Sequence, residues 1–354
     1  MEKRDCKFDT LKGFLILLVV FGHLLEKHSF YFPEKSPVMD GLYACIYCFH
    51  MPAMVMISGY FSKKPANSPG ALRKSVNSCL IPYAVVNTLI CLLINRKPAQ
   101  MFFPQFSMWY LLSLFFWRLF LPAALSFRFP LLLSAALALV TGLANINQLL
   151  SASRTICFFP FFLAGFRLQP EQLRRLRRLP KLLPAALFVL LLALACFLYR
   201  RGIPSELYYM KASYEKLRLS APEGILLRAL ALGMGFVGAL CLMALVPERE
   251  TVLTALGRRT MPVYLLQAPL ILILSKQKLL GLDSQALGLG LAAGLTGLIC
   301  LLAGNSVVSK AYQRLLDWTG RFILKPAAPG EGGGSGLPGN PGNPQKENPS
   351  DAKK

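Results

Sequence analysis

Long apolar runs separated by short polar connections dominate the pattern of this chain. A helix that crosses the hydrocarbon core of a bilayer needs about 20 mostly apolar residues, because each residue adds about 1.5 Å of rise. Windows close to this length cover residues 12–30, 41–61, 78–95, 108–124, 130–147, 155–169, 182–199, 225–246, 260–277 and 285–305. The pattern therefore predicts an all-α, polytopic membrane helical bundle with about ten transmembrane helices.

The composition agrees with a membrane protein. Of the 354 residues, 54% are hydrophobic and 16% are charged, whereas a soluble domain carries about 25% charged residues. The 39 Lys and Arg against 17 Asp and Glu give a net charge of +22, which in a soluble protein would favour nucleic acid as a partner. Here the basic residues lie between apolar runs. We therefore expect a lipid bilayer as the surroundings and no nucleic-acid partner.

The distribution of the basic residues predicts the orientation in the membrane. With the amino terminus and every second loop on the cytoplasmic side, the inside segments carry 23 Lys and Arg and the outside loops carry 13. Cytoplasmic loops are the ones enriched in Lys and Arg. We expect both termini in the cytoplasm and a multi-pass protein of the cell membrane. The outside segment around residues 200–224 is also strongly basic, which leaves a role toward an anionic substrate open.

The carboxyl-terminal part has a different character. Residues 306–325 mix basic side chains with Val, Leu, Trp and Phe, as an interfacial helix on the inner leaflet would. Residues 326–354 are rich in Gly, Pro and Asn, which predicts a disordered tail. The first apolar run lacks a small-x-small cleavage site, so we expect an uncleaved span. The expected organisation is one membrane domain over residues 1–325, followed by the tail.

Two of the three histidines, His23 and His50, fall inside predicted spans. An ionisable side chain at membrane depth indicates function, although a hydrogen bond to a neighbouring helix explains it equally well. Lys12 precedes His23 by eleven residues, about three helical turns, so both lie on one stripe about 16 Å apart. This suits a cationic anchor at the membrane surface and a proton acceptor deeper in. The alternative for Lys12 is snorkelling to the headgroups.

Six segments together resemble a known family. They are FDTLKGFLILLVVFGH (8–23), FHMPAMVMISGYFSKK (49–64), LIPY (80–83), MWYLLSLFFWR (108–118), SRTICFFPFFLAGF (153–166) and LGRRTMPVYLLQ (256–267). Their order and spacing are similar to those of the membrane-bound acyltransferases called acyltransferase family 3, and within it to the fucose 4-O-acetylase-like branch. A basic residue followed by His, as in Lys12 and His23, is the opening motif of that family.

The resemblance implies an integral membrane enzyme that moves an acyl group, most often acetyl, from cytoplasmic acyl-CoA to a hydroxyl of an envelope carbohydrate or its lipid-linked precursor. Acyl-CoA is then a substrate, and we expect no tightly bound cofactor and no metal. His23 would act as general base, and Lys12 would hold a cofactor phosphate or steady developing charge. Gln267 stands where many relatives have His. Since Gln cannot act as a base near pH 7, the chemistry concentrates on His23, whose orienting partner the sequence does not identify.

Further candidates for binding the cofactor or the substrate are His50, Ser58, Trp109, Arg118, Arg154, Lys63, Lys64 and Arg73. Each has a structural alternative. Helix packing accounts equally well for His50 and, with Gly59, for Ser58. An aromatic belt at the outer interface accounts for Trp109, and orientation in the membrane accounts for the lysines.

Two other functions compete with the acyltransferase. A transporter or exporter of a glycan or lipid-linked sugar would also bury ionisable groups at mid-membrane. A relative that binds acyl-CoA or glycan without turnover is the third possibility, and Gln267 is the one residue that points to it.

Overall fold

The computed structural model describes residues 5–26, 37–63, 69–94, 100, 102–146, 149–276 and 284–323. Within these ranges the regular structure is entirely helical, which confirms the all-α prediction. The helices are α1 (Cys6–Glu26), α2 (Pro37–Tyr47), α3 (His50–Tyr60), α4 (Pro69–Ser75), α5 (Ile81–Leu93), α6 (Trp109–Leu125), α7 (Pro130–Val140), α8 (Ala152–Arg167), α9 (Pro170–Arg178), α10 (Leu182–Arg200), α11 (Ala221–Leu245), α12 (Val252–Gly257), α13 (Thr260–Lys276), α14 (Gln285–Ala303) and α15 (Ser306–Ile323). A π-helical turn, Val76–Leu80, joins α4 to α5.

Seven helical segments of the described residues are long and apolar enough to cross a membrane. They are Cys6–Glu26, Pro37–Tyr60, Gly70–Leu93, Leu149–Arg167, Leu182–Arg200, Ala221–Leu245 and Gln285–Ala303. Three shorter apolar helices, Trp109–Leu125, Pro130–Leu143 and Thr260–Ser275, accompany them. Each predicted window overlaps one of these segments, which supports a polytopic membrane protein. The number of crossings and the side of the termini stay predictions.

Several windows have different ends in the structure, among them the first and the fifth. The first helix begins at Cys6 rather than near residue 12, because α12 covers its polar first turns and keeps Asp9 and Thr10 buried. The Thr10 hydroxyl lies 2.6 Å from the Thr254 hydroxyl. The fifth window is shorter than predicted, since α7 ends at Val140 and a single 3₁₀ turn, Thr141–Leu143, follows.

The outer surface of the bundle is apolar. Helix α10 shows this most clearly: only 17% of its apolar window is buried, and Leu182, Val189 and Leu190 are 80%, 66% and 65% exposed. Monomeric soluble proteins rarely expose contiguous apolar patches this extensive. The exposed faces are those that lipid would cover.

The second predicted span is broken into α2 and α3. The break falls at Cys48 and Phe49, because Pro52 has no N–H for the carbonyl four residues earlier and its ring clashes there. The His50 imidazole Nδ1 lies 2.9 Å from the Ile46 carbonyl oxygen and donates to it. A side chain thus supplies a hydrogen bond at the end of α2, which is the packing role left open for His50.

Glycines allow two very close helix crossings. A Cβ added at Gly59 of α3 would collide with the Phe162 backbone, and one added at Gly165 of α8 would collide with the Met56 backbone. Similar contacts at Gly13 and Gly257 hold α1 against α12. Small residues permit this approach in membrane bundles, so the close contact predicted at Gly59 is confirmed.

Arg228 is a basic residue that serves the fold. It is completely buried in α11, and its guanidinium donates to the Ala212 carbonyl at 2.8 Å and to the Ala138 carbonyl at 3.5 Å. The Tyr214 ring lies under it at 4.6 Å. These contacts fasten the segment between α10 and α11 onto α7, so Arg228 is not one of the loop charges that orient spans.

The glycine crossing predicts opposite effects for two equal substitutions. Gly59→Ala should lower the thermal unfolding midpoint in detergent, because overpacking costs about 1–3 kcal/mol. Gly233→Ala in α11 is the matched control: nothing lies within 4 Å of its added Cβ, and Ala favours a helix by about 1 kcal/mol over Gly. Equal midpoints for the two variants would contradict the close packing of α3 on α8.

Candidate active site

His23 lies near the carboxyl-terminal end of α1 and is half-buried. Its Nδ1 is 3.0 Å from Oε1 of Gln267, which α13 carries. Gln267 is fully buried, and its Nε2 donates to the Ser107 hydroxyl at 2.9 Å and faces the Tyr264 carbonyl at 3.4 Å. Gln267 is therefore the orienting partner that the sequence did not identify.

The hydrogen bonds of Gln267 decide the tautomer of His23. Because its NH₂ group faces acceptors, the amide oxygen is the atom turned toward the imidazole. An amide oxygen only accepts, so Nδ1 carries the hydrogen. Nε2 is then the nitrogen whose lone pair can take a proton.

One aromatic ring contacts the imidazole, and a second lies against the neighbouring residue. The Phe106 ring centroid is 4.5 Å from that of His23, and Phe106 has a left-handed backbone with φ 52°, a conformation uncommon for a bulky residue and frequent at functional sites. The Tyr47 ring occupies the space that a Cβ on Gly22 would need. Tyr47 stacks on Tyr43 at 3.8 Å. The missing side chain at Gly22 thus lets Tyr47 pack against α1 next to His23.

Arg154 and Trp109 complete this group. The Arg154 guanidinium carbon lies 5.0 Å from the Trp109 ring centroid, and Trp109 follows Ser107 by two residues. Tyr47 and Tyr264 are also neighbours of Arg154. We call His23, Gln267, Ser107, Phe106, Tyr47, Trp109 and Arg154 the His23 site. Among the predicted candidates, it brings together His23, Trp109 and Arg154.

The burial of Trp109 corrects one prediction. Its side chain is only 7% exposed, with Phe158 on one side at 5.1 Å and Arg154 on another. An aromatic belt would place the ring at the lipid interface. The segment before α6 instead packs inward, with Ser107 and Met108 also buried, so Trp109 belongs to the interior.

Lys12 lies at the other end of α1, about 16 Å from His23 along the axis. Its Nζ is 2.7 Å from Asp9 Oδ1, and Arg258 Nε is 3.7 Å from the second oxygen of that buried carboxylate. Arg258 is also paired with Glu250. Among the described residues, this Asp9 cluster holds two cations, Lys12 and Arg258, and two anions, Asp9 and Glu250. The sequence treats Lys12 as an isolated cation, whereas in the structure its charge is compensated.

Ser58, Arg118 and His50 lie around the two ends of α3. The Ser58 hydroxyl is 2.5 Å from that of Tyr110. Arg118 donates to the Ser62 hydroxyl at 3.3 Å, so it lies away from the His23 site. His50 is buried and packs edge-on against Tyr47 at 4.5 Å. Of these three residues, His50 thus directly contacts a member of the His23 site.

Of the remaining predicted cations, Lys63 contacts described residues outside the His23 site. Lys63 donates to the Leu168 carbonyl and lies 4.3 Å from the Tyr60 ring centroid. Partial desolvation lowers the pKa of its ammonium group, and Glu171 opposes that shift. Arg73 is half-buried in α4. Lys64 and the predicted tail at residues 326–354 lie outside the described residues.

Two features of the site, the Asp9–Lys12 pair and the buried Gln267, have a signal in the sequence. Asp9 precedes Lys12 by three residues, a helical spacing that favours an ion pair. Gln267 is a polar residue inside an apolar helix, which signals a buried hydrogen-bond partner. No comparable signal marks Phe106 and Ser107, because their place depends on how the segment before α6 packs against α13.

A family model described as an acyltransferase domain matches residues 7–304, nearly the whole of the described bundle. The chain belongs to acyltransferase family 3. The match takes in both the Asp9 cluster and the His23 site of this family member. The helical bundle is therefore the fold of an acyltransferase domain.

Two relatives of this acyltransferase are both named nodulation protein NolL. The one from Mesorhizobium japonicum is 42% identical over 74 residues, which are 21% of this chain and 18% of the relative. The one from Sinorhizobium fredii is 43% identical over 61 residues, 17% of this chain and 16% of the relative. The chain thus spans less than a fifth of the length of these relatives. No solved structure shows a significant match.

The Asp9 cluster predicts a stability change that a second substitution reverses. Asp9→Asn keeps the volume but leaves Lys12 and Arg258 without their shared anion, so the free energy of unfolding should fall by about 2 kcal/mol, allowing for the partial exposure of both cations. Adding Lys12→Met should recover part of this loss. Denaturation in detergent measures both, and additive effects of the two changes would contradict the pairing.

Proposed function

We propose that this acyltransferase is a multi-pass O-acyltransferase of the cell membrane. It moves an acyl group, most often acetyl, from acyl-CoA to a hydroxyl of an envelope carbohydrate or its lipid-linked precursor. Membership of the acyltransferase family supports the reaction class. The likeness of six sequence segments to the fucose 4-O-acetylase-like branch supports a carbohydrate acceptor.

The observation that carries the proposal is the geometry of His23. Gln267 accepts from Nδ1 at 3.0 Å, so the imidazole presents Nε2 as a base in a fixed orientation. General-base catalysis needs such a nitrogen within hydrogen-bond reach of the proton that it takes. The Phe106 ring packs against the imidazole, and aromatic side chains commonly line ligand sites.

In the proposed reaction, His23 Nε2 takes the proton of the acceptor hydroxyl while its oxygen attacks the thioester carbonyl carbon. The carbon–sulfur bond then breaks, and the CoA thiolate leaves with the proton that the imidazolium returns. The products are the O-acyl ester and CoA thiol, and His23 is restored. Gln267 keeps the Nδ1 hydrogen in place throughout, which is the role of an orienting partner.

The two ends of α1 suit the two substrates. With the amino terminus in the cytoplasm, as the Lys and Arg distribution predicts, the Asp9 cluster lies at the cytoplasmic end. There Lys12 and Arg258 meet the phosphates of acyl-CoA, whose long thiol arm runs toward His23. The pairing with Asp9 holds the Lys12 ammonium in a fixed position. The carbohydrate reaches His23 from the opposite end.

A transporter is less well supported. It would account for an ionisable side chain at membrane depth, but it gives no reason for a hydrogen-bonded histidine within a chain that belongs to an acyltransferase family. A non-catalytic relative is disfavoured by the same hydrogen bond, because Gln267 orients a base rather than replacing one.

Replacement of His23 tests the base. His23→Ala should abolish acceptor-dependent release of CoA thiol from acetyl-CoA with an envelope-glycan extract, a loss of about 100-fold or more. Because the lost group is a base, added imidazole should restore part of the rate. Size-exclusion profile and thermal midpoint monitor folding. A folded His23→Ala variant with the native rate would remove His23 from the mechanism.

Replacement of Gln267 tests the orientation. Gln267→Leu removes the acceptor for Nδ1, and we expect kcat to fall about 10- to 100-fold, as for other orienting partners of histidine. Gln267→Glu keeps an oxygen acceptor and should retain more of the rate. KM for acetyl-CoA should not change in either. Equal rates for the Leu and Glu variants, or a change confined to KM, would argue against this role.

A further inference from the structure

Arg154 has an unusual environment for a cation inside a membrane bundle. It lies in the first turn of α8, half-buried. Among the residues that the structure describes, no hydrogen bond or ion pair satisfies its guanidinium, and its close contact is the Trp109 ring at 5.0 Å. A guanidinium offers five donors, and one ring face satisfies none of them.

In the described part of the chain, Arg228 has the hydrogen-bond acceptors that Arg154 lacks. Arg228 is a fully buried arginine over an aromatic ring, and two carbonyl oxygens accept from its guanidinium. Arg154 is only half-buried, and no such acceptor contacts it among the described residues. Its donors are therefore accessible to a group that is not part of the described chain.

The position of Arg154 links that group to the His23 site. The Arg154 guanidinium packs on the ring of Trp109, which lies two residues after Ser107. The Ser107 hydroxyl in turn accepts from the Gln267 amide that binds His23. Arg154 is also a neighbour of Tyr47, whose ring lies against Gly22 next to His23. A ligand whose hydroxyl reaches His23 would thus place a neighbouring substituent at Arg154.

We propose that Arg154 binds an oxyanion, a carboxylate or phosphate, on the carbohydrate acceptor, and that the enzyme selects anionic sugars for this reason. The inference rests on the proposed function and narrows its substrate class. Arg forms paired hydrogen bonds with both kinds of oxyanion. The Trp109 ring supports the guanidinium from one side, which leaves its edge for the ligand.

Glu26 is the described carboxylate to consider as an internal alternative. It lies three residues after His23 and interacts electrostatically with Arg154. Its side chain is exposed, and it makes no ion pair with Arg154 in the described structure. Among the ionisable groups that act on Arg154, Glu26 has the largest effect, but without a direct contact it accepts from none of the guanidinium donors.

A binding experiment tests the proposal without requiring turnover. The full-length protein in detergent is titrated with methyl glucuronide, glucose 1-phosphate or neutral methyl glucoside, and the thermal midpoint is followed, because a ligand that binds the folded state raises it. We expect the two anionic sugars to raise the midpoint of the native protein at concentrations about 10- to 100-fold lower than the neutral one, the range expected for charge-assisted hydrogen bonds. Which of the two acts at lower concentration distinguishes carboxylate from phosphate.

Variants assign the effect to one residue. Arg154→Gln should abolish the difference between anionic and neutral sugars, and Arg154→Lys should keep part of it. Arg201→Gln is the matched control, since Arg201 also lies over a ring, Phe197, at 5.0 Å but is exposed and outside the His23 site; it should behave as the native protein. Equal midpoint shifts for anionic and neutral sugars, or an unchanged preference in Arg154→Gln, would overturn the proposal.

A transfer experiment separates this proposal from the proposed function. Radiolabelled acetyl-CoA is supplied with an envelope-glycan pool, before and after chemical reduction of its carboxyl groups and removal of its phosphates. Label confined to the untreated pool is expected. Equal labelling of both pools by the native enzyme would keep the transferase and reject the anionic acceptor. No labelling of either pool would reject the transferase, and the midpoint shifts would still decide whether Arg154 binds an oxyanion.

Discussion

The hydrogen bond between His23 and Gln267 is the interaction on which the arrangement of the site depends. It joins two helices whose residues are 244 positions apart in the chain, and through Ser107 it also fixes the segment that leads into α6. A buried carboxamide in a membrane interior must find partners within the protein. The Ser107 hydroxyl and the Tyr264 carbonyl accept from the NH₂ group of Gln267. The amide oxygen of Gln267 therefore faces the imidazole, and His23 carries its hydrogen on Nδ1.

The two ends of α1 differ in how their charges are balanced. At the Asp9 cluster, the described cations and anions are equal in number, and close glycine contacts with α12 hold the helix start in place. At the His23 end, Arg154 brings a positive charge that the described side chains do not neutralise by direct contact. The rise of the helix keeps these two environments about 16 Å apart, which is the separation that the proposed donor and acceptor sites would have.

The sequence predicted the helices well because the bilayer imposes one length and one composition on every span. It also placed Lys12 and His23 correctly on one helix, since spacing along a helix is a local property. It failed where the outcome depends on packing between distant segments. The sequence pattern indicates a lost base at Gln267 and allows an interfacial ring at Trp109, whereas Gln267 binds His23 and Trp109 packs against Arg154. Lys12 has a partner one turn away, Asp9.

Arg228 bears on the order in which the bundle is made. It is the eighth residue of the 25-residue helix α11, and an unpaired arginine near the middle of a helix costs roughly 2.5–3.5 kcal/mol during membrane insertion. The groups that accept from it or support it, at Ala138, Ala212 and Tyr214, all precede it in the chain. Because synthesis starts at the amino terminus, the residues that contact the Arg228 guanidinium are made before Arg228. When α11 inserts into the membrane, the groups that pair with its arginine are therefore already present.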